Sequence, residues 1–289
     1  MDAVLVSTAA GLATYIIMPS FLHLLKRGGA SRRNYRGVDV PLGAGFLFIW
    51  MGSLMGGILG LSALLSPSAE RRAAADLWLL LSATGLGYSL LGLLDDLVGD
   101  RRQTGLLGHA RAFITGQLTT GAVKAVAGLA FGFVLAGCRL SAGEFRNGTG
   151  AAAFPIVLMD GLLIAAGANT LNLFDLRPGR AGKVFLLGWV LILCGGNPVA
   201  LAMLPWIGSL LGYLPFDLRG LAMMGDVGSN ALGALLGMAS SLSLAPPGRL
   251  AVLVVLALLH LLAERISFSE VIESHHLLRR LDLWGRRES

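Results

Sequence analysis

The chain has 289 residues, of which 55% are hydrophobic, and its mean hydropathy is +0.71. This composition excludes an ordinary water-soluble domain, because only lipid solvates apolar residues all around a helix. The net charge of +6 does not indicate nucleic-acid binding in so apolar a chain, since membrane proteins collect basic residues in their cytoplasmic loops.

Nine apolar runs predict an all-α, polytopic integral membrane protein. The sixth, eighth and ninth runs are shorter than the roughly 17 residues that a straight membrane crossing requires. We expect a single transmembrane domain over residues 1–289, in which residues 266–289 form a cytoplasmic amphipathic tail helix. The predicted spans are residues 3–25, 42–66, 77–94, 118–138, 152–173, 183–196, 198–214, 230–245 and 249–263.

The Lys and Arg residues are unequally divided between the two sides of these spans. With the N-terminus outside, about seventeen lie in inner loops and about five in outer loops. This bias predicts an outer N-terminus and a cytoplasmic C-terminus in the plasma membrane, with every polar motif described below on the cytoplasmic side. The outer set is Arg71, Arg72, Arg139, Arg146 and Arg249.

The first inner loop, from Lys26 to Pro41, is basic. A role in setting topology suffices to explain it, and phosphate binding is compatible with it. Asp95 and Asp96 then end the third span, where the helix dipole opposes carboxylates. Either Arg101 and Arg102 or a divalent ion should offset that cost, and a solvated helix end explains the pair equally well.

Two ionisable residues, Lys124 and Asp160, lie inside the fourth and fifth spans. Such residues are functional or paired, but the different depths of these two do not predict that they meet. We predict that Lys124 approaches a lipid phosphate from the cytoplasmic side.

Asn169, Asn172 and Asp175 close the fifth span at intervals of three, which places them on one helical face. They are either contacts between helices or a ligand site, and we favour the ligand site. Arg177 and Arg180 follow, and their guanidinium groups suit phosphate.

A glycine-rich string, Gly225-Asp226-Val-Gly228-Ser229-Asn230, opens the eighth span. Glycine permits close approach of a ligand, and Ser229 or Asn230 could cap the helix. A helix N-terminus attracts phosphate, and Asp226 could hold the Mg²⁺ that bridges to it. A plain capped helix start is the alternative.

In the tail, Ser267 and Glu270 form a plausible capping box and Gly285 a plausible helix stop. His275 and His276 precede Arg279 and Arg280. A lone His on an apolar helix face is usually structural, whereas an adjacent pair before two arginines favours phosphate contact.

Taken in order, five strings resemble motifs of the polyprenyl-phosphate N-acetylhexosamine-1-phosphate transferases, the family that includes phospho-N-acetylmuramoyl-pentapeptide transferase. The resemblance covers nearly the whole chain. The strings are Arg33-Asn-Tyr-Arg-Gly37 with Pro41–Gly45, Asp95-Asp96, Asn169 to Asp175, Gly225 to Ser229, and His275 to Arg279.

The resemblance implies that a polyprenyl phosphate attacks the β-phosphorus of a UDP-N-acetylamino sugar and releases UMP, with Mg²⁺ as cofactor. It implies that Asp226 ligates the metal and that Asp95 or Asp96 orients or deprotonates the lipid phosphate or helps to hold the metal. It further implies substrate contacts from the residues that match the family's motifs, and a homodimer. These contacts are Asn169, Asn172, Asp175, Gly225, Gly228, Ser229, His275 and His276, to which Arg177, Arg180 and Lys124 are added from their charge.

The chain departs from the family after Asp175, where Gly-x-Asp-Gly is usual and Leu176-Arg177-Pro178-Gly179 stands instead. Pro178 replaces an acidic residue that belongs to the family's nucleotide pocket, so the donor could differ or turnover could be lost. The shortened histidine motif, with no apolar span after it, indicates a divergent relative and not the muramoyl-pentapeptide enzyme itself.

Two other functions stay open. A catalytically silent relative would bind polyprenyl phosphate or nucleotide sugar without turnover, although Asp95, Asp96 and Asp226 are retained. A transporter or lipid flippase would place polar residues toward both faces of the membrane. The CDP-alcohol phosphotransferases do not fit, because their longer multi-aspartate helix motif is absent from the sequence.

Overall fold

A computed structural model describes residues 3–98, 119–141 and 150–286, and this part of the chain is almost entirely helical. Its first six helices are α1 (Ala3–Arg27), α2 (Gly45–Leu64), α3 (Ala69–Val98), α4 (Thr120–Ser141), α5 (Gly150–Phe174) and α6 (Arg180–Cys194). The remaining six are α7 (Pro198–Ala202), α8 (Leu204–Asp217), α9 (Asp226–Ser243), α10 (Pro246–Ala263), α11 (Phe268–Ser274) and α12 (His276–Leu283).

Six helices of the described residues are long and apolar enough to cross a membrane, which confirms the polytopic membrane class. The count of nine spans stays a prediction, because α6 and α8 have only 15 and 14 residues. The orientation also stays a prediction. The six helical segments are Ala3–Arg27, Gly45–Leu64, Ala74–Val98, Gly121–Arg139, Ala153–Phe174 and Pro246–Ala263.

Helix α9 lies at the centre of the bundle, where it packs mainly against α5 and α3 and also against α2 and α6. Most of its residues are buried, and many of them are small or polar. Since protein surrounds this helix, it does not need the apolar surface that lipid would demand. The outer helix α10 is the opposite case, because it is strongly apolar and Arg249 is its only buried residue.

Small residues allow α9 to approach its neighbours closely. A Cβ on Gly92 of α3 would collide with the backbone of Asp226, and one on Gly45 of α2 would collide with Gly228. Gly167 of α5 and Gly233 are in similarly close contact. Such backbone approach is typical of helix packing in membranes, and here it brings the motif at the start of α9 against the end of α3.

Two predicted helical stretches are broken in the structure. The seventh run divides at Met203 into α7 and α8, with Pro205 in the first turn of α8. The single tail helix is wrong, because His275 is extended (φ −98°, ψ 115°) and separates α11 from α12. The Ser267 cap is confirmed by its acceptance of the Glu270 N–H at 3.4 Å, and Gly285 follows the last helix with φ 77°.

The loop between α1 and α2 contains a two-stranded antiparallel sheet that the all-α expectation missed. Strand β1 (Ser31–Arg33) pairs with β2 (Asp39–Pro41), with Arg32 opposite Val40. Asn34 organises the turn, since its Oδ1 accepts the N–H groups of Arg36 and Val38 at 2.8 and 3.1 Å. The end of β2 is hydrogen-bonded to the segment before Gly225, where the Met223 N–H donates to the Pro41 carbonyl at 2.9 Å.

Candidate active site

The aspartate pair at the end of α3 meets the start of α9. The Val227 N–H donates to Asp96 Oδ2 at 3.1 Å, so Asp96 satisfies an N-terminal amide of α9 and gains from its dipole. Gly225 precedes the helix with φ 75° and ψ 172°, a conformation that essentially only glycine adopts. The expected cap by Ser229 or Asn230 is wrong, because both lie inside the helix and are buried.

Lys124 of α4 forms the cationic partner of the site. Its ammonium group pairs with Asp226 Oδ2 and lies 3.4 Å from Asp95 Oδ2, and all three side chains are about one-fifth exposed. The dipole cost at the end of α3 is therefore offset by α9 for Asp96 and by Lys124 for Asp95. Arg101 and Arg102, the partners proposed from sequence, lie outside the described residues.

Asn172 of α5 connects the same carboxylate to the glycine-rich string. Its Nδ2 donates to Asp226 Oδ2 at 3.1 Å, and its Oδ1 accepts from Ser229 Oγ at 3.2 Å. The Gly225 carbonyl, 3.1 Å from Ser229 Oγ, is a second acceptor within reach of the same hydroxyl hydrogen. Three predicted motifs, together with Lys124, thus meet around Asp226, and the residues that they join lie up to 131 positions apart in sequence.

A large cavity of about 550 Å³ opens on one side of this cluster. Most of its lining comes from the candidate membrane-crossing helices α3, α4, α5 and α10, and much of that lining is apolar. Its polar lining consists of Tyr88, Asp95, Lys124, Asn169, Asn172, Asn230, His260 and Glu264.

A smaller cavity of about 240 Å³ opens on the other side. Seven of its lining residues are charged, and most of the lining comes from the loop after α1, the turn after α5 and the segment around Gly225. The two cavities share Asn172, and the aspartate pair is divided between them, with Asp95 in the larger and Asp96 in the smaller. The charged lining of the smaller cavity is Arg32, Arg33, Asp96, Asp175, Arg177, Asp217 and Asp226.

Asp175 and Asp217 make the smaller cavity acidic on one wall. Helix α5 ends at Phe174, so Asp175 lies in the turn beyond it. Burial, followed by the carboxylates of Asp217 and Asp226, raises the pKa of Asp175. Burial also raises the pKa of Asp217 to about 7, against the hydrogen bond that its Oδ2 accepts from the Gly179 N–H at 2.9 Å.

The two arginines after Asp175 have different positions. Arg177 lines the smaller cavity, with its guanidinium carbon 4.7 Å from the centre of the Tyr35 ring and its Nη2 3.2 Å from Glu273. Arg180 is buried away from both cavities and pairs with Asp282 of the tail. The predicted phosphate contact by Arg180 therefore has no support from its placement.

His275 and His276 are exposed on the tail and line neither cavity, so the structure does not bring them to the other motifs. Gly228 lies in the first turn of α9, where its close packing on Gly45 explains the glycine. The phosphate contacts predicted for these three residues stay predictions.

The carboxylates of Asp96 and Asp226 are ligands of the type that Mg²⁺ prefers, because this ion commonly binds one or two carboxylates together with substrate phosphates. Asp226 and Asp96 are the residues that would hold it. Within the described ranges, no three His, Cys, Asp or Glu side chains form a ready metal cluster. A cation bound by Asp226 would compete with Lys124, whose ammonium already contacts that carboxylate.

Sequence reasoning missed Asp217, His260 and Tyr35. Asp217 ends the apolar helix α8, which is the same signal that singled out Asp95 and Asp96. His260 is a lone histidine in an apolar run, a pattern that is usually structural, and its Nδ1 lies 2.7 Å from the Leu256 carbonyl. Tyr35 lies within the Arg33–Gly37 string that carries part of the family resemblance, but no role was assigned to it from the sequence.

Asp160, the other ionisable residue within a span, belongs to a separate cluster. It is fully buried, pairs with Arg139 and accepts from Arg249 Nη1 at 3.2 Å on both oxygens. None of the three lines either cavity. The cluster therefore reads as a buried ion bridge between α4, α5 and α10.

Comparison with known proteins places the chain near one group of enzymes, although no protein-family model matches it. It is 32% identical over 201 residues to the phospho-N-acetylmuramoyl-pentapeptide-transferase of Moorella thermoacetica, which covers 63% of this chain and 58% of the relative. It is 31% identical over 196 residues to the enzyme of that name from a Geobacillus species, covering 62% and 57%. The chain thus spans somewhat more than half the length of these relatives. Over about three-fifths of its length, the chain is therefore similar in sequence to two phospho-N-acetylmuramoyl-pentapeptide-transferases.

Proposed function

We propose that this protein transfers a sugar 1-phosphate from a nucleotide sugar, in the first instance a UDP-N-acetylamino sugar, to polyprenyl phosphate. A phosphate oxygen of the lipid attacks the β-phosphorus of the donor and forms a new P–O–P bond. The bond from that phosphorus to the oxygen shared with the α-phosphate breaks, and UMP leaves with the electron pair. The product begins an envelope or cell-wall glycan at the cytoplasmic face of the plasma membrane.

The observation that carries this proposal is the pair of cavities that meet at Asn172. The larger has membrane-helix walls suited to the head of a lipid, and the smaller is charged and suited to a nucleotide. A two-substrate transfer between a lipid and a soluble donor needs two entrances that converge on one reacting centre. The names of the two relatives support a phosphosugar transferase, and dimerisation rests on the resemblance alone.

The division of the aspartate pair suggests a division of roles. In the larger cavity, Asp95 and Lys124 would orient the attacking phosphate, which is already mostly an anion near neutral pH. In the smaller cavity, Asp96 and Asp226 would hold Mg²⁺, and Arg177 would attract the donor's diphosphate. Bound Mg²⁺ would screen the repulsion between the two anions and stabilise charge on the departing phosphate.

The direct test is nucleotide release by the purified protein given polyprenyl phosphate and a panel of nucleotide sugars, with and without Mg²⁺. We expect Mg²⁺-dependent release of a nucleoside monophosphate from one donor, reduced by at least about 100-fold in Asp226→Ala.

Release from no donor, together with measurable binding of lipid or nucleotide, would instead support the silent relative that the Pro178 departure suggests. A lipid-linked-substrate transporter is a weaker candidate, because both cavities adjoin the same cluster of polar residues, whereas a transporter would place such residues toward both faces of the membrane.

A further inference from the structure

The tail after α10 is held against the turn that follows Asp175. Arg180, at the start of α6, makes two parallel hydrogen bonds to Asp282 of α12, from Nε to Oδ1 at 2.8 Å and from Nη2 to Oδ2 at 3.0 Å. Its Nη1 donates to Ser269 Oγ of α11 at 2.9 Å. Arg180 and Asp282 are 3% and 8% exposed, so this is a buried, bidentate ion pair that spans 102 positions of sequence.

A second arginine ties Asp282 to the turn itself. Arg286 donates from Nη2 to Asp282 Oδ1 at 2.7 Å and from Nε to the Pro178 carbonyl at 2.8 Å. Lys183 adds a bond to the Asp282 carbonyl at 2.6 Å. Although burial alone would raise it, the hydrogen bond from Arg180 and the charge of Arg286 hold the pKa of Asp282 below its usual value.

Two hydrogen bonds to different parts of the protein therefore fix the backbone of this turn. The tail holds the Pro178 carbonyl, and Asp217 of α8 holds the Gly179 N–H. Gly179 has φ 73°, so this conformation is one that few other residues adopt. Asp175, Arg177 and Pro178 on the same turn line the smaller cavity, whereas none of the turn lines the larger one.

We infer that Asp282 is a positioning residue, which acts through Arg180 and Arg286 to fix the turn at 175–179 and so shapes the smaller cavity for the donor. The inference rests on the proposed function, because it assumes that the donor's nucleotide diphosphate occupies that cavity. It also explains the two arginines in residues 176–180, the segment that differs from the family's motif. Arg177 lines the smaller cavity, and Arg180 holds the tail. Removing one partner from a buried ion pair leaves the other charge uncompensated. The attachment of the tail to the turn should therefore weaken sharply, and the turn should become more mobile.

The test compares Asp282→Asn with Glu270→Gln, which removes the same charge from an exposed position on the same tail. UDP, GDP, CDP and ADP are titrated against the wild-type protein without lipid, and the tightest binder is the probe. We expect Asp282→Asn to weaken its binding about tenfold or more, and to raise hydrogen exchange at 175–180. Glu270→Gln should change neither.

Steady-state kinetics distinguish a specific effect on the smaller cavity from a general loss of structure, because a general loss would affect the binding of both substrates. In Asp282→Asn, the KM for the nucleotide sugar should rise at least about tenfold, while the KM for polyprenyl phosphate stays within about twofold. If Asp282→Asn does not fold, Arg286→Met decides, since it releases the Pro178 carbonyl and leaves the Arg180 pair in place.

Unchanged nucleotide affinity in the deciding variant would overturn the inference, as would an equal rise in both KM values. Failure of the wild-type protein to bind any of the four nucleotides would overturn it as well. If the wild-type protein binds nucleotide but has no transferase activity, the binding and exchange results still decide the inference while the proposed function fails.

Discussion

The ammonium group of Lys124 contacts Asp226, the carboxylate that we propose holds the metal, and lies 3.4 Å from Asp95. Metal binding at Asp226 must work against this cation. At about 4 Å and an effective dielectric constant near 20, two unit charges interact by about 4 kcal/mol, so Lys124 should lower metal affinity substantially.

We therefore predict that Lys124→Met binds Mn²⁺ roughly ten- to a hundredfold more tightly than the wild-type protein, measured by electron paramagnetic resonance without substrates. Lys26→Met, at the end of α1, removes the same charge far from the aspartates in sequence and should leave Mn²⁺ affinity unchanged. Equal Mn²⁺ affinity in Lys124→Met and wild type would show that the ion does not use Asp226.

We expect the free energy of unfolding to depend on pH because of Asp217. Its pKa of about 7 in the folded state exceeds the value near 4 expected in the unfolded chain, so the folded state prefers the protonated carboxyl. The stabilisation is complete below pH 4 and is lost as the pH rises through 7.

A shift of this size corresponds to on the order of 4 kcal/mol. We predict that the Tm of the wild-type protein falls between pH 5 and pH 8, and that Asp217→Asn shows a clearly smaller fall. Parallel Tm curves for the two proteins would contradict the buried, protonated state of Asp217.

Residue patterns in the sequence located part of the site. Asn172, Asp226 and the aspartate pair follow from their places at the ends of apolar runs, and all of them meet in the structure. The partner of Arg180 could not be predicted, because Asp282 lies 102 positions away and nothing in its local pattern distinguishes it from a solvated helix charge.

At the scale of helices, the site depends on the close contact of α3 and α9. A Cβ on Gly92 would overlap the backbone of Asp226, so Gly92→Ala must displace the helix that carries the central carboxylate. We predict a loss of about 1–3 kcal/mol in the free energy of unfolding, together with a large loss of activity.

Gly57→Ala in α2 is the matched control, because a Cβ there meets no atom within 4 Å. Replacing a mid-helix glycine at such a position should stabilise by about 0.5–1 kcal/mol and leave activity intact. Similar effects of the two substitutions on stability and activity would refute the role of close packing between α3 and α9.

Apolar runs predicted most of the helices, but they did not predict the breaks within them. The break at Met203 lies within a continuous apolar run, and the break at His275 lies within an amphipathic pattern that suits a single helix. The break at Met203 has a local cause that the apolar pattern hid, because Pro205 has no N–H and cannot continue the helix of α7. The segment after the break at His275 is held by the ion pair of Arg180 with Asp282, a contact that the tail sequence does not show. The small sheet after α1 was not predicted either, because the chain at its end is hydrogen-bonded to Met223 and Met224, which are distant in sequence.

For the whole molecule, hydropathy predicted the class of the fold but did not identify its central element. Helix α9 was proposed as an ordinary span, yet protein encloses it, and it is less apolar than the outer helices. A hydropathy pattern reports on the solvent of a segment, and it cannot distinguish a helix wrapped in other helices from a short span.

The orientation predicted from the basic loops can be tested with native side chains. Cys138 and Cys194 are exposed, and the predicted topology places both near the outer surface. We predict that a membrane-impermeant maleimide labels them in intact spheroplasts. In a variant lacking both, Ser274→Cys in the tail should be labelled only after lysis, and labelling before lysis would reverse the assigned orientation.

The central claim is that a phosphosugar passes from a nucleotide to a lipid, and the fate of the donor's β-phosphate tests it most directly. The purified protein would receive polyprenyl phosphate, Mg²⁺ and the accepted nucleotide sugar labelled with ³²P at the β-phosphorus. We predict that the label enters the organic phase as a sugar-bearing diphospholipid, in equal amount to the nucleoside monophosphate released, and that Asp226→Ala abolishes both. Label that stays in the aqueous phase, whether on intact donor, nucleoside diphosphate or free phosphate, would contradict the proposed transfer.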